Sequence, residues 1–392
     1  MDLLKVALKK NEDIRIKSGH LWVFSNEIAK ADAGLQNGDL AAVVDHKNEY
    51  MGCGFYNKNS LIAVRMLTNK REYDIKEILR DKLLAAKKLR DALYGDRSSY
   101  RLAFSESDFL PGLIIDRYNN TYVLQIYSYG MAANINTVAE ILKEDFGAEN
   151  IFTKNEEYFR KLEGLPVEDA VFYGEPKPEV IEELGVKYAI DFNNAHKTGF
   201  YFDQTDNRVF TEKISKGATV LDAFCNSGGF GLHTAKAGAE NITFVDSSAS
   251  EIEKAKNNFQ LNEFKQEAVF EVADVFDYFE KCIAVKKKFG VVVIDPPAFA
   301  KNKKSLPIAK KGYERINRLA LETVEPGGWL VSSSCSHHLT EADFIIAITK
   351  AAVKAGRTIQ LVHFNNASLD HPKLPSMPET TYLKFAVIRA LN

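Results

Sequence analysis

The stretch ATVLDAFCNSGGFGLHTAKAG, residues 218 to 238, decides how the C-terminal half of this chain is read. Its apolar run through Val220 and Leu221 closes on the acid Asp222, and a turn containing Gly228, Gly229 and Gly231 then opens a helix-forming segment. Glycines at such a strand-to-helix turn let the backbone approach a ligand closely at the helix start. A dinucleotide-binding turn needs G-x-G-x-x-G to admit a pyrophosphate, whereas this turn has other spacing and a carboxylate at its head. A carboxylate there repels phosphate and suits a cation.

Downstream the same alternation recurs. NITFVD (241 to 246) precedes a helical pattern at 249 to 261, AVFEVA (268 to 273) precedes one around 275 to 285, and GVVVID (290 to 295) precedes one at 310 to 325. GWLVSSS (328 to 334), a helix at 341 to 355 and TYLKFAVIRAL (381 to 391) complete the series. Strands separated by crossover helices predict an α/β domain on a mostly parallel sheet, with its ligand crevice at the carboxyl ends of the strands. Acids recur at those ends: Asp222, Asp246, Asp274 and Asp295. Asp246 stands where a carboxylate can accept from both ribose hydroxyls, and Asp274 where it can accept from an adenine amino group. Each acid alone is equally readable as a helix cap, but four in series on one rim are harder to explain that way.

Upstream, DLAAVVD, EYMGCGFYN and LIAVRML predict short strands of a small β-barrel or sandwich over residues 1 to 70. Residues 71 to 190 read as α+β: an amphipathic helix from Tyr73 to Tyr94, a hairpin turning at Asn119-Asn120, a helix near 131 to 145 and a strand at NIFTK. The proline-punctuated EPKPEV (175 to 180) and a hairpin through GVKYAIDFN lead into residues 191 to 392. A chain of 392 residues exceeds the ~250 at which one core stops growing, so three domains fit its length. With 51 basic and 53 acidic residues and 45% hydrophobic content, composition excludes disorder and a globally nucleic-acid-like charge. The basic residues that stand out are local, Lys301, Lys303, Lys304, Lys310, Lys311, Arg315 and Arg318 after GVVVID, a group that also reads as a solvated helix face. No run approaches the ~18 apolar residues of a membrane helix. Cys53, Cys225, Cys282 and Cys335 form no CxxC pair, so neither disulfides nor a zinc site is expected, and a cytoplasmic location fits. The histidines 337, 338, 363 and 371 match no tetrahedral metal spacing, and His233 reads as a packed or surface residue.

HKTGFYFDQTDNR (196 to 208), DAFCNSGGF (222 to 230), DPPAF (295 to 299) and SSSCS (332 to 336), taken in order, resemble the bacterial large-subunit ribosomal RNA cytosine-5 methyltransferases that carry an N-terminal PUA domain. GHLWVFSNEI (19 to 28) resembles the start of that domain. The resemblance covers nearly the whole chain and implies a Rossmann-like sheet with an antiparallel last strand at TYLKFAVIRAL. It implies S-adenosylmethionine as cofactor, a PUA-like RNA-binding barrel, which here carries Lys17, His20, Trp22 and Arg65, and an RNA partner; separately from the resemblance, a homodimer is an assembly to test. By the same resemblance Asp222, Phe224, Gly228, Gly229, Asp246, Asp274, Asp295 and Gln204 are expected at the cofactor, and Lys197, Pro296 and Phe299 at the substrate base. Ala195 and Thr205 stand where the family pattern has Gly and Arg.

Cytosine C5 is a poor nucleophile, so methylating it requires a thiolate to add at C6. Cys335, at the rim strand's end among Ser332 to Ser334, Ser336, His337 and His338, is the expected nucleophile, with Asp295 accepting from the base. Cys225 in the cofactor turn is the competitor, and Cys53 and Cys282 read as packing residues. An amino-group methyltransferase of guanine or adenine, or an RNA-binding protein that keeps the cofactor fold without catalysis, are the alternatives.

Overall fold

The computed structural model describes residues 3–71, 73–194, 197–300 and 302–392. Their contacts form two units: residues 1–181, 190–202 and 369–380, and residues 182–189, 203–368 and 381–392.

The first unit contains two sheets. Strands β1 (Lys5–Leu8), β2 (Trp22–Phe24), β3 (Ile28–Ala31), β4 (Leu40–Val44), β5 (Tyr50–Tyr56) and β6 (Ile62–Thr68) pair in the order β2-β6-β5-β4-β1-β3, with a short helix α1 (Ile14–Lys17) between β1 and β2. Alternate apolar residues, among them Val6, Val23, Val43 and Val64, are buried inside this sheet. The three-to-four-residue strands β1 to β3 were not legible in the sequence, since so short a run shows too little alternation to register. After helix α2 (Ile75–Tyr94), strands β7 (Ser99–Phe104), β8 (Leu113–Tyr118), β9 (Thr121–Ile126), β10 (Asn150–Thr153) and β11 (Val171–Tyr173) form a sheet in the order β11-β10-β9-β8-β7. Asp74 caps α2 by accepting from the Glu77 N–H, and Leu79 and Leu83 on its apolar stripe join Leu113 and Leu124 in the core. Helices α3 (Tyr129–Ala133) and α4 (Ile135–Phe146) follow β9, and α5 (Glu157–Glu163) follows β10.

A buried polar network ties elements of this unit. Arg65, 9% exposed, donates to Glu106 at 2.9 Å and Glu163 at 3.1 Å, and the Trp22 indole donates to Glu106 at 2.8 Å. His20 is also buried, 3.6 Å from Glu379. His20 and Arg65 are therefore buried, Arg65 because two buried carboxylates require its cation, while Trp22 is half-buried with its indole N–H committed to Glu106. Lys17 keeps an exposed stem and pairs with Asp13.

Residues 182–189 of the second unit belong to a two-stranded ribbon, β12 (Glu179–Glu183) with β13 (Val186–Ile190), and the unit continues through α6 (Thr205–Glu212). Strands β14 (Thr219–Ala223), β15 (Asn241–Asp246), β16 (Glu267–Val272), β17 (Phe289–Ile294), β18 (Val324–Ser334), β19 (Ile359–Asn365) and β20 (Lys384–Ala390) form one sheet in the order β16-β15-β14-β17-β18-β20-β19. Intervening helices are α7 (Gly229–Lys236), α8 (Ala249–Leu261), α9 (Val275–Ala284), α10 (Leu306–Thr323) and α11 (Glu341–Lys354). β14 to β18 run parallel to one another, while β20 runs antiparallel to both β18 and β19. The expected α/β fold with an antiparallel last strand is what forms. β19 was missed because its half-exposed residues carry no clean alternation.

Beneath α7 lies a buried charge cluster. Glu183 accepts from Arg208 at 3.0 and 3.1 Å and from Thr205, and His233 sits between Glu183 at 3.0 Å and Glu212 at 2.6 Å. Thr205, where the family pattern has Arg, thus contributes a hydroxyl to Glu183. Glu183→Ala removes the carboxylate that accepts twice from the buried Arg208 and is expected to cost about 3–5 kcal/mol in urea unfolding, with Glu183→Gln costing less.

Candidate active site

The residues that could hold a ligand stand at the carboxyl ends of the parallel strands. In the ladder Asp222 aligns with Phe244 of β15 and Val293 of β17, so Asp222, Asp246 and Asp295 end three adjacent strands on one edge. The chain then turns sharply: Phe224 and Asn226 have φ of 62° and 48°, and Gly228, at 89°, is the N-cap of α7. A Cβ on Gly231 would lie 2.1 Å from the Phe244 ring. Gly231 is therefore required by the packing of α7 on β15, a role that the sequence pattern does not separate from ligand approach.

Asp222 is 1% exposed, and its Oδ2 accepts from the Gly231 N–H at 2.7 Å. Its buried Oδ1 has no partner among the described residues. Burial pushes the carboxyl up to about 7, against the Gly231 hydrogen bond, and the nearby Asp295 and Asp246 add repulsion. Asp295 is likewise raised to about 7, by burial first and then by Asp203, although its edge keeps some solvent access. The Gln204 amide donates to Asp295 Oδ2 at 3.0 Å and accepts from Asn207 at 2.7 Å. Asp203 Oδ2 accepts from the Tyr382 hydroxyl at 2.5 Å, while its buried Oδ1 has no partner among the described residues. Two raised carboxyls, Asp222 and Asp295, together with the partnerless oxygens of Asp222 and Asp203, form a site that a cationic ligand would satisfy.

The other acids differ. Asp246 is half-exposed, and its oxygens accept from the Asn226 and Ser248 N–H groups, both at 3.0 Å, so it pins the turn as well as ending its strand. Asp274 is exposed and spends Oδ1 on the Phe276 and Asp277 N–H groups as N-cap of α9.

On the other side of the edge, Cys335 follows β18, and its Sγ lies 4.0 Å from the Pro296 carbonyl. It is the one partly exposed cysteine of the four. Burial drives the Cys225 thiol well above the ordinary range, and Asp222 and Asp246 push it further. Cys53 and Cys282 are buried and raised in the same way. Pro296 is buried, and Phe299 packs 4.7 Å from the Tyr313 ring and close over Gly312. One face of Phe299 is therefore committed to α10. Ser336 Oγ accepts from the Ala300 N–H at 3.2 Å and meets the Tyr313 hydroxyl at 2.9 Å, which joins the Pro296 loop to the Cys335 loop. Asp203, Tyr313, Ser336 and Tyr382 were not singled out in the sequence. Only DQ next to HKTG pointed toward Asp203.

Lys197 belongs to the first unit, with φ of 54° and its ammonium 5.8 Å from the Tyr201 ring. In the basic cluster Lys310, Arg315 and Arg318 pair with Asp343, Glu280 and Glu322, while Lys303, Lys304 and Lys311 are exposed. Lys301 lies outside the described residues.

A family profile described as S-adenosylmethionine-dependent methyltransferase matches residues 170–389, and one described as a PUA-like domain matches residues 6–69. The chain belongs to the S-adenosylmethionine-dependent methyltransferases. Similar curated proteins are the ribosomal RNA large subunit methyltransferase I of Shewanella amazonensis, 36% identical over 98% of this chain and 99% of that one, and its namesake from Aliivibrio fischeri, 37% identical over 97% and 98%. Among solved structures, SMU.776 complexed with S-adenosylhomocysteine has TM-score 0.84 at 20% identity, covering 99% of this chain and 100% of that one. A Streptococcus mutans protein has TM-score 0.82 at 20% identity with the same coverage. Both share the fold. The family's cofactor, S-adenosylmethionine, carries a sulfonium and an ammonium, which matches the demand for a cation made by Asp222 and Asp295.

If Asp222 meets that cationic end, binding must displace the proton it holds below about pH 7. Cofactor affinity measured by calorimetry is therefore expected to rise as pH increases from 5.5 to 7.5, by at most about tenfold per unit for one linked proton. In Asp222→Asn, binding should be weaker and the slope shallower.

Proposed function

We propose that this protein methylates carbon 5 of a cytosine in large-subunit ribosomal RNA, in the cytoplasm, through a covalent adduct on Cys335. The RNA class is supported by the names of relatives similar over nearly the whole chain and by the PUA-like match at residues 6–69. The observation that carries the chemistry is the environment of the cysteines: Cys335 alone is partly exposed, and it borders the loop that begins at Asp295.

In this reading the Cys335 sulfur adds to C6 of the base, which turns C5 into an enamine-like carbon. S-adenosylmethionine supplies an electrophilic methyl group at that carbon. Asp295, its carboxyl pushed up to about 7 by burial and steadied by Gln204, accepts from the exocyclic amino group and supports protonation of N3, which offsets the negative charge that addition pushes into the ring. Loss of the C5 proton to a water molecule then restores the C5–C6 double bond and expels the sulfur as a thiolate. Pro296 and Phe299 border the base, and the committed face of Phe299 leaves its remaining surface for stacking. Asp222, Phe224, Gly228, Gly229, Asp246 and Asp274 line the cofactor side, and Lys197 contacts the substrate.

RNA containing 5-fluorocytosine is expected to remain bound to the enzyme through denaturing electrophoresis, because no C5 proton can leave after methyl transfer. Cys335→Ser should lose trapping and turnover while retaining cofactor binding, and Cys225→Ser should still trap. Turnover of RNA without any adduct, together with substantial activity in Cys335→Ser, would identify amino-group methylation instead.

A further inference from the structure

We propose that Lys384 is a positioning residue that keeps the Cys335 sulfur in its thiolate form; this rests on Cys335 acting as the nucleophile. Lys384 stands directly opposite Ser334 in the antiparallel ladder of β18 and β20, one residue before Cys335. Its side chain is almost fully buried, 3% exposed as a residue. Its Nζ donates to the Ser336 carbonyl at 2.6 Å and the Tyr382 carbonyl at 2.7 Å, which flank the loop carrying the thiol. A lysine whose task was to fill space would carry its ammonium out to solvent along its flexible stem. This one is held inward by two neutral carbonyls, neither of which compensates a full charge.

Cys335 is the group that gains from that arrangement. Lys384 is lowered to about 8, first by burial, with Cys335 and then Glu341 opposing the shift. At neutral pH the ammonium is therefore still charged, and its proximity favours ionisation of the thiol, whose proton passes to solvent. Among the surrounding groups, Tyr313, Glu341 and Asp295 do not supply this charge. Tyr313, on α10, has its hydroxyl pushed up by burial and stays neutral. Glu341, on α11, is exposed and accepts from Asn366 at 2.9 Å. Tyr382 donates to Asp203, His337 lies 5.5 Å from the Tyr382 ring, and His338 follows it in the loop. Asp295, on the facing loop, is an acid and works in the opposite direction.

The test is the pH dependence of iodoacetamide alkylation at Cys335 in the full-length protein, followed by mass spectrometry of the peptide so that the buried cysteines do not contribute. The wild-type midpoint is expected below the free-thiol value of about 8.5. Lys384→Met should raise it by about one unit and slow alkylation at pH 7 by about tenfold, and Lys384→Arg should keep it low. A lysine needed only for packing would lower the melting temperature of the Met variant and leave the midpoint in place, which would overturn the proposal. A wild-type midpoint at or above 8.5 would overturn it without any variant. Trapping by 5-fluorocytosine RNA reports on the nucleophile separately: an adduct on Cys335 with an unshifted midpoint removes the role of Lys384 and leaves the reaction, whereas a shifted midpoint without an adduct removes the reaction.

Discussion

Asp222, Asp246 and Asp295 end three neighbouring parallel strands because the β15-β14-β17 register leaves them no other place, and they repel one another there. Asp222 is withdrawn from water and Asp295 is partly so, which raises both toward neutrality. Nearly everything around them answers this excess of acid. The Gly231 N–H and the Gln204 amide each donate to one carboxylate oxygen, and the left-handed turn at Phe224 and Asn226 brings backbone N–H groups to the same edge. The remaining deficit is positive charge, which a sulfonium ligand supplies.

That local field also distinguishes the environments of the cysteines. Cys225 sits in the turn where acids and burial both oppose a thiolate, although it is closer in sequence to the glycine-rich motif. Cys335 stands across the sheet edge at the end of β18, where the antiparallel β20 returns a lysine beside it. The antiparallel strand thus contributes more than closure of the sheet. It delivers a cation to a rim whose parallel strands deliver acids.

A second charge network lies away from that edge. Glu183 on the ribbon joins Arg208, His233 and Thr205, so the helix that follows the ligand turn is held by buried polar contacts as well as apolar packing. In the first unit Arg65, Glu106 and Glu163 form a comparable buried pairing, which is why basic and aromatic residues there are not all available to a nucleic acid. In both cases a buried acid has captured the cation that composition would have assigned to the surface.

The sequence alone determined the strand-helix alternation of the last domain and the acids at its strand ends, because periodicity and strand-terminal residues are local properties. It also determined the glycine turn and the candidate cysteine. It did not determine which acid becomes a helix cap, which glycine serves packing, or where Arg65 points, because Asp274, Gly231 and Arg65 acquire those roles from partners elsewhere in the chain. Gly231 is decided by Phe244, which sits 13 positions away on another strand. Lys384 reads in sequence as one more polar residue in an apolar strand; only the pairing of β18 with β20, which brings together residues 50 positions apart, places its charge next to Cys335.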